Sequence, residues 1–128
     1  MVYVDMEVRP EGGAAQTVRL LVDSGAAYSV LPWDVWHHLG LTPTRTMDFV
    51  LTDGTSIRRD VSHCHFICGS VTAPSPVILG EPRDEALLGT ITLEAMGLVL
   101  NPFERTLRPM RLRLAALAAT GRDPSPAA

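Results

Sequence analysis

The chain has 128 residues, of which 46% are hydrophobic and 20% charged, so it fits one soluble domain rather than two. A formal net charge of −3 leaves no basic footprint for nucleic acid. No stretch approaches the ~18 consecutive apolar residues of a membrane span, and two cysteines are too few for a disulfide framework.

Ten prolines and ten glycines with few aromatics favour short segments joined by turns, hence a mostly β fold. Val2, Val4 and Met6 alternate with Tyr3, Asp5 and Glu7, which predicts a half-exposed strand. Those early acids, with no apolar signal core, make the cytoplasm the expected location. Glu11-Gly12-Gly13 supplies a turn, and Thr17 to Val22 a second strand, so the pair reads as a hairpin. Asp23-Ser24-Gly25-Ala26 follows at the mouth of the apolar run Leu20-Leu21-Val22.

Tyr28 to Leu31 is apolar again. Pro32 suits the first position of a helix over Trp33 to Leu39, with Val35, Trp36 and Leu39 as its buried stripe and Gly40 as its stop. Thr46 to Thr52 and Thr55 to Val61 flank Asp53-Gly54, a strong hairpin signal. His63 to Ile67 and Val71 to Leu79 are further strands, with Pro74 and Pro76 confining part of the second to an edge or loop. Ala86-Leu87-Leu88-Gly89 precedes a helix near Thr90 to Met96, with Thr90 as its cap. Leu98 to Leu100 and Arg105 to Met110 form a closing pair around Asn101-Pro102. The domain is expected to span 1–114, with 115–128 as a disordered tail.

The Asp23 loop carries the chemistry. A buried strand holds its base, Gly25 admits a close backbone because it has no Cβ, and the Ser24 hydroxyl can brace the loop. One carboxylate hydrolyses amides poorly. Two that sit close together share a proton, so one takes a proton from water while the other polarises the scissile carbonyl. The chain holds a single Asp-Ser/Thr-Gly, and a two-fold dimer would supply the second acid.

Three elements in order, Leu20 to Leu31 around Asp23-Ser24-Gly25, the Asp53-Gly54 hairpin, and Ala86-Leu87-Leu88-Gly89 with Gly97 to Pro102, resemble the retropepsin-like aspartic proteases. The resemblance covers roughly residues 2 to 110, with Ser24 where the family more often has threonine. It implies a closed, mostly β acid-protease barrel with one or two short helices, half of a pepsin-like fold, paired as a two-fold homodimer. It further implies peptide-bond hydrolysis with no metal or other cofactor. The catalytic candidates are Asp23, Ser24 and Gly25. Ala26, Ala27, Val50, Leu51, Asp53, Gly54 and Ile57 are the substrate-binding candidates, the hairpin acting as a flap. The expected partners are a peptide or protein substrate and a second copy of the chain, with neither nucleic acid nor membrane. Val2 to Val8 and Leu107 to Leu114 are candidates to pair across the dimer axis.

Other readings are weaker. For Asp-Ser-Gly the plain alternative is turn chemistry, and for the whole chain it is a non-proteolytic peptide-binding or dimerisation module. His63, Cys64, His65 and Cys68 are all metal-ligand types, but strand alternation sends His63 and His65 to one face and Cys64 to the other. Ser24 lacks the Gly-x-Ser-x-Gly elbow of a serine nucleophile.

Overall fold

The computed structural model describes residues 1–111. Residues 112–128, which include the expected tail and Leu112 and Leu114 of the proposed pairing segment, lie outside the described residues. Among the described residues no helix is long and apolar enough to cross a membrane.

Nine strands and two short helices among the described residues follow the periodicity of the sequence. Strands β1 (Tyr3–Arg9) and β2 (Gln16–Val22) form the first hairpin, in register from Tyr3 opposite Leu21 to Val8 opposite Gln16. The alternation in β1 is kept: Met6 and Val8 are buried while Tyr3, Asp5 and Glu7 are exposed. Strand β3 (Ser29–Leu31) leads into α1 (Trp33–Leu39), which has the expected limits. Pro32 stands just outside that helix as its N-cap, in extended conformation, rather than at its first position. Gly40 ends it at φ 73°, with its N–H on the carbonyls of His37 and Trp36.

Strands β4 (Arg45–Val50) and β5 (Ser56–Cys68) form the second hairpin. The two segments expected around Val61 and His63 are one thirteen-residue strand. Its first part pairs β4, and its remainder pairs β6 (Val71–Leu79) from Asp60 opposite Leu79 to Cys68 opposite Val71. Pro74 and Pro76 fall where β6 has only β5 beside it, because β3 pairs β6 at Val77 to Leu79 alone. An edge position spares them the ladder bonds that proline cannot donate.

Strand β7 (Leu87–Leu88) inserts between β2 and β3, parallel to the first and antiparallel to the second. Helix α2 (Thr90–Met96) follows at once. Its cap is Gly89 rather than Thr90, which is already helical. Strands β8 (Leu98–Asn101) and β9 (Thr106–Pro109) form a separate two-stranded sheet.

The main sheet runs β1-β2-β7-β3-β6-β5-β4, and β1 also pairs β5 through Glu7 to Arg9. Glu7 and Val8 are therefore paired on both sides, so that end of β1 offers no free edge to a second chain. Phe66, Leu20, Leu31, Leu88, Val8 and Val77 are the largest fully buried apolar side chains and draw one core from six strands. A smaller apolar cluster of Val30, Val61 and Ile78, flanked by Tyr28, Met47, Phe49 and Leu87, lies apart from it.

Phe66 is fully buried, so truncation leaves a cavity that the surrounding strands fill only in part. Phe66→Ala should lower unfolding free energy by about 3–5 kcal/mol. In urea titration the midpoint should fall with an unchanged slope.

Candidate active site

The Asp23 loop is held by backbone interlock. The Asp23 N–H donates to the carbonyl of Leu88 at 3.1 Å, and the Ala26 N–H donates to the Asp23 carbonyl at 3.1 Å. From the far side, the N–H groups of Thr90 and Ile91 donate to the carbonyls of Ala26 and Ala27 at 2.9 and 3.0 Å. The first N–H groups of a helix lack intrahelical partners. Here α2 spends two of them on the loop.

This packing requires a glycine at position 89. A Cβ there would lie 2.6 Å from the Tyr28 carbonyl carbon and 2.8 Å from the Ala27 carbonyl oxygen. The Gly89 N–H in turn donates to Ser29 Oγ at 2.9 Å. Ser29 Oγ, Thr92 Oγ1 and Ser75 Oγ form a buried hydroxyl chain with Thr92 at its centre, 2.5 Å from Ser29 and 2.8 Å from Ser75. It ties β3, α2 and β6 together beneath the loop. Buried hydroxyls are costly unless bonded, and each of these three has a partner.

The Asp23 side chain is half-buried, and Oδ1 accepts the Gly25 N–H at 2.9 Å. It lines a cleft of about 610 Å³ shared by the loop, the β4–β5 hairpin and the segment before β7. The cleft gathers eight of the ten sequence candidates: Asp23, Gly25, Ala26, Ala27, Val50, Leu51, Asp53 and Ile57. Ser24 and Gly54 do not line it. Ser24 is exposed, and its hydroxyl makes no hydrogen bond among the described residues. Gly54 serves the hairpin turn at φ 90°, and its N–H donates to the Leu51 carbonyl.

Sequence reasoning missed Tyr28, Phe49, Arg59, Ile78, Asp84, Glu85 and Leu87 in the cleft wall. Tyr28 and Phe49 meet edge to face, with ring centroids 5.4 Å apart, which seats the hairpin on the loop side of the cleft. Alternation along β4 was a usable signal for Phe49, since Met47 and Phe49 are half-buried between exposed neighbours. No local pattern marked Arg59 and Asp84.

Arg59 on β5 grips Asp84 in the loop before β7 with two bonds, Nε to Oδ2 at 2.8 Å and Nη2 to Oδ1 at 3.2 Å. Two parallel bonds between guanidinium and carboxylate make a directional, charge-assisted contact. Asp84 Oδ2 also accepts the Glu81 N–H at 2.8 Å. The middle of the hairpin is thus fastened to the opposite wall. Its tip is free: Val50 is 73% exposed and Leu51 43%. At the turn, Asp53 Oδ1 accepts both the N–H and the hydroxyl of Thr55, which holds that carboxyl below its ordinary value.

On β5, Cys64 is buried and His63 exposed, as alternation requires. Burial pushes the Cys64 thiol up to about 12, which makes it a poor thiolate. Among the described residues no three His, Cys, Asp or Glu side chains gather as a metal site would need. A second hollow of about 300 Å³, lined by Thr44, Arg45, His63 and Pro76 among others, shares no residue with the cleft.

The family model described as aspartyl protease matches residues 4–92, which spans the Asp23 loop, the hairpin and the Leu87-Leu88-Gly89 element. The chain belongs to that family. It is accordingly an aspartic-type endopeptidase, as the resemblance drawn from the sequence implied. A search of curated proteins finds no match. Among solved structures, the protease of Simian Foamy Virus (mac), a solution structure, is similar at 21% identity and a TM-score of 0.48. That likeness covers 71% of this chain and 92% of the viral one. The Prototype Foamy Virus protease–reverse transcriptase crystal structure is similar at 14% identity and a TM-score of 0.49, over 89% of this chain and 13% of that one.

Two outcomes are expected for this aspartyl protease. Gly89→Ala should push the Asp23 loop off its seat and lower kcat/KM more than it lowers thermal stability, as turnover and melting of the same sample would reveal. For the ion pair, the hydrogen bond from Arg59 holds the Asp84 carboxyl below its ordinary 3.8. A depressed folded-state value means the pair stabilises the native state above pH 3.8 and that this contribution fades as pH falls through the lower folded value. Asp84→Asn should therefore cost about 1–3 kcal/mol at neutral pH, and the difference from wild type should close in acid. A penalty independent of pH would show that charge plays no part.

Proposed function

We propose that this aspartyl protease works as a two-fold homodimer, cutting peptide bonds with a water activated between two Asp23 carboxylates. The observation that carries the reading is the cleft itself. It holds Asp23, which belongs to the one Asp-Ser-Gly of the chain, so a second acid of the same kind to share its proton has to come from another copy. A second copy meeting the first at a two-fold axis would supply it, since residues near such an axis meet their own equivalents. The proton then belongs to the pair, and titration reports on the dyad rather than on either acid.

In this mechanism the ionised Asp23 takes a proton from water as that water attacks the scissile carbonyl carbon. The protonated Asp23 of the other copy donates a hydrogen bond to the carbonyl oxygen and then its proton. The resulting tetrahedral diol collapses with proton transfer to the leaving nitrogen. The Gly25 N–H on Oδ1 keeps one oxygen of each carboxylate in place. Ser24, exposed and without a bond among the described residues, is free to brace its counterpart loop in the assembled dimer.

The β4–β5 hairpin serves as a flap. Its middle is pinned by Arg59 and Asp84, and the apolar tip at Val50 and Leu51 would cover bound peptide and exclude water. The ring of pairings from β1 through β2, β7, β3, β6 and β5 back to β1 is read as a closed barrel, which gives both lid and loop a stiff base. The β8–β9 sheet supports the dimer reading from another side. Leu98, Leu100 and Leu107 turn one side of it to the core, while Val99 and Phe103 are exposed apolar residues that a second copy could cover.

Cleavage of a peptide library by wild type and Asp23→Asn, across acidic and neutral pH, tests the role of the acid. A loss of about 10²–10⁴-fold or more is expected. Specific activity should also fall on dilution, and excess Asp23→Asn chain should poison wild type by forming mixed dimers. Equal cleavage by the two proteins would remove Asp23 from the mechanism. Full activity from a strict monomer in sedimentation would remove the dimer.

A further inference from the structure

We propose that Glu85 makes this cleft select peptides carrying a basic side chain beside the bond that is cut. The inference rests on the reading of the cleft as the substrate site, and it concerns what that site chooses rather than how it cuts.

Placement is the first argument. Glu85 lines the cleft together with Asp23, Gly25 and Leu87. The backbone beyond it is fastened at two points: the Ala86 carbonyl accepts the Leu21 N–H at 3.0 Å, and the Leu88 carbonyl accepts the Asp23 N–H at 3.1 Å. From Leu88 back to Glu85 is three residues, at most roughly 10 Å of extended chain. The Glu85 carboxylate is therefore held within a residue or two, on the substrate, of the bond that Asp23 addresses. A site set on pinned backbone discriminates better than one on a loose loop.

The charge balance of the cleft is the second argument. Most of its wall is apolar, supplied by Tyr28, Val30, Phe49, Ile78 and Leu87. Of its charged groups, Asp23 is assigned to the chemistry, and Asp53 is engaged by Thr55 at the hairpin turn. Arg59 and Asp84 neutralise each other through their paired bonds, and Glu81 adds a second acid 3.6 Å from Arg59. An acidic substrate side chain thus finds no uncommitted cation on this wall among the described residues. A basic one finds Glu85, exposed and in no ion pair among the described residues.

Bound peptide would strengthen the contact. In open water an exposed ion pair is weak. Under a closed hairpin and against apolar walls, the same carboxylate and an incoming ammonium or guanidinium interact through less water. Opposite charge across a binding surface contributes to specificity and to encounter rate. With two copies about a two-fold axis, one Glu85 stands on each side of the scissile bond, so the preference for a basic residue should extend to both flanks.

The test compares kcat/KM for matched peptides that carry lysine, norleucine or glutamate at the positions flanking one cleaved bond. Wild type should favour lysine over norleucine by about tenfold at low salt, and the ratio should shrink as salt is raised. Glu85→Gln should bring that ratio near one, and Glu85→Arg should shift preference toward the glutamate peptide. Glu94→Gln, which removes an exposed acid of α2 outside the cleft, should keep the lysine preference. Affinities of the same peptides for the Asp23→Asn chain should follow the same order, which separates recognition from turnover. A wild-type protease that cuts all three peptides alike, or a Glu85→Gln chain that retains the lysine preference, overturns the proposal and leaves the catalytic reading intact. Undiminished cleavage by Asp23→Asn would instead remove the reading on which it rests.

Discussion

The close approach of two backbones at Gly89 is the constraint on which the site depends. Asp23 donates to Leu88, and Thr90 and Ile91 donate to Ala26 and Ala27, with no room for a Cβ between the segments. Each such bond contributes only about 1 kcal/mol net, but leaving one of these groups unpaired in a semi-buried place costs more. The loop is therefore hard to displace by half measures. The hydroxyl chain of Ser29, Thr92 and Ser75 extends the same hold into the core, so the orientation of one surface carboxylate is set from behind by two strands and a helix.

Against that rigid floor the hairpin is built to move at one end. Arg59 is clasped by Asp84 midway along the hairpin, and Tyr28 packs on Phe49 one pair short of the end of its ladder. Beyond them the tip carries exposed apolar side chains and few contacts, the features of a segment with low local stability. The ion pair thus does two things at once. It fixes where the hairpin can bend, and it removes from play the one cation that the described residues give the wall, which leaves the character of the cleft to its apolar residues and its acids.

Much of the fold was legible because it follows from local periodicity and from residues with restricted backbones. The period-two pattern of Val2 to Glu7, the Gly40 stop after Leu39, and Asp53-Gly54 between two apolar runs each specify their element from within a dozen residues. Misreadings occurred where two local solutions were equally good. Thr90 is a sound cap by its side chain, but Gly89 takes that place because Tyr28 lies too close for any larger residue. The strands expected on either side of Ser62 are one, since β6 pairs β5 without a break across that point.

What the sequence determined by itself is the acid loop, its apolar stem and the order of the elements around it, because spacing along a chain is enough to encode these. Tertiary structure alone decided which side chains share the cleft with Asp23. Arg59 meets Asp84 across twenty-five positions, and Ser29 meets Thr92 across sixty-three. Glu85 reaches the cleft only because β7 slots between β2 and β3. Such contacts arise from strand order and register, which bring distant residues together for the sake of the whole core. A short window of sequence holds no record of them.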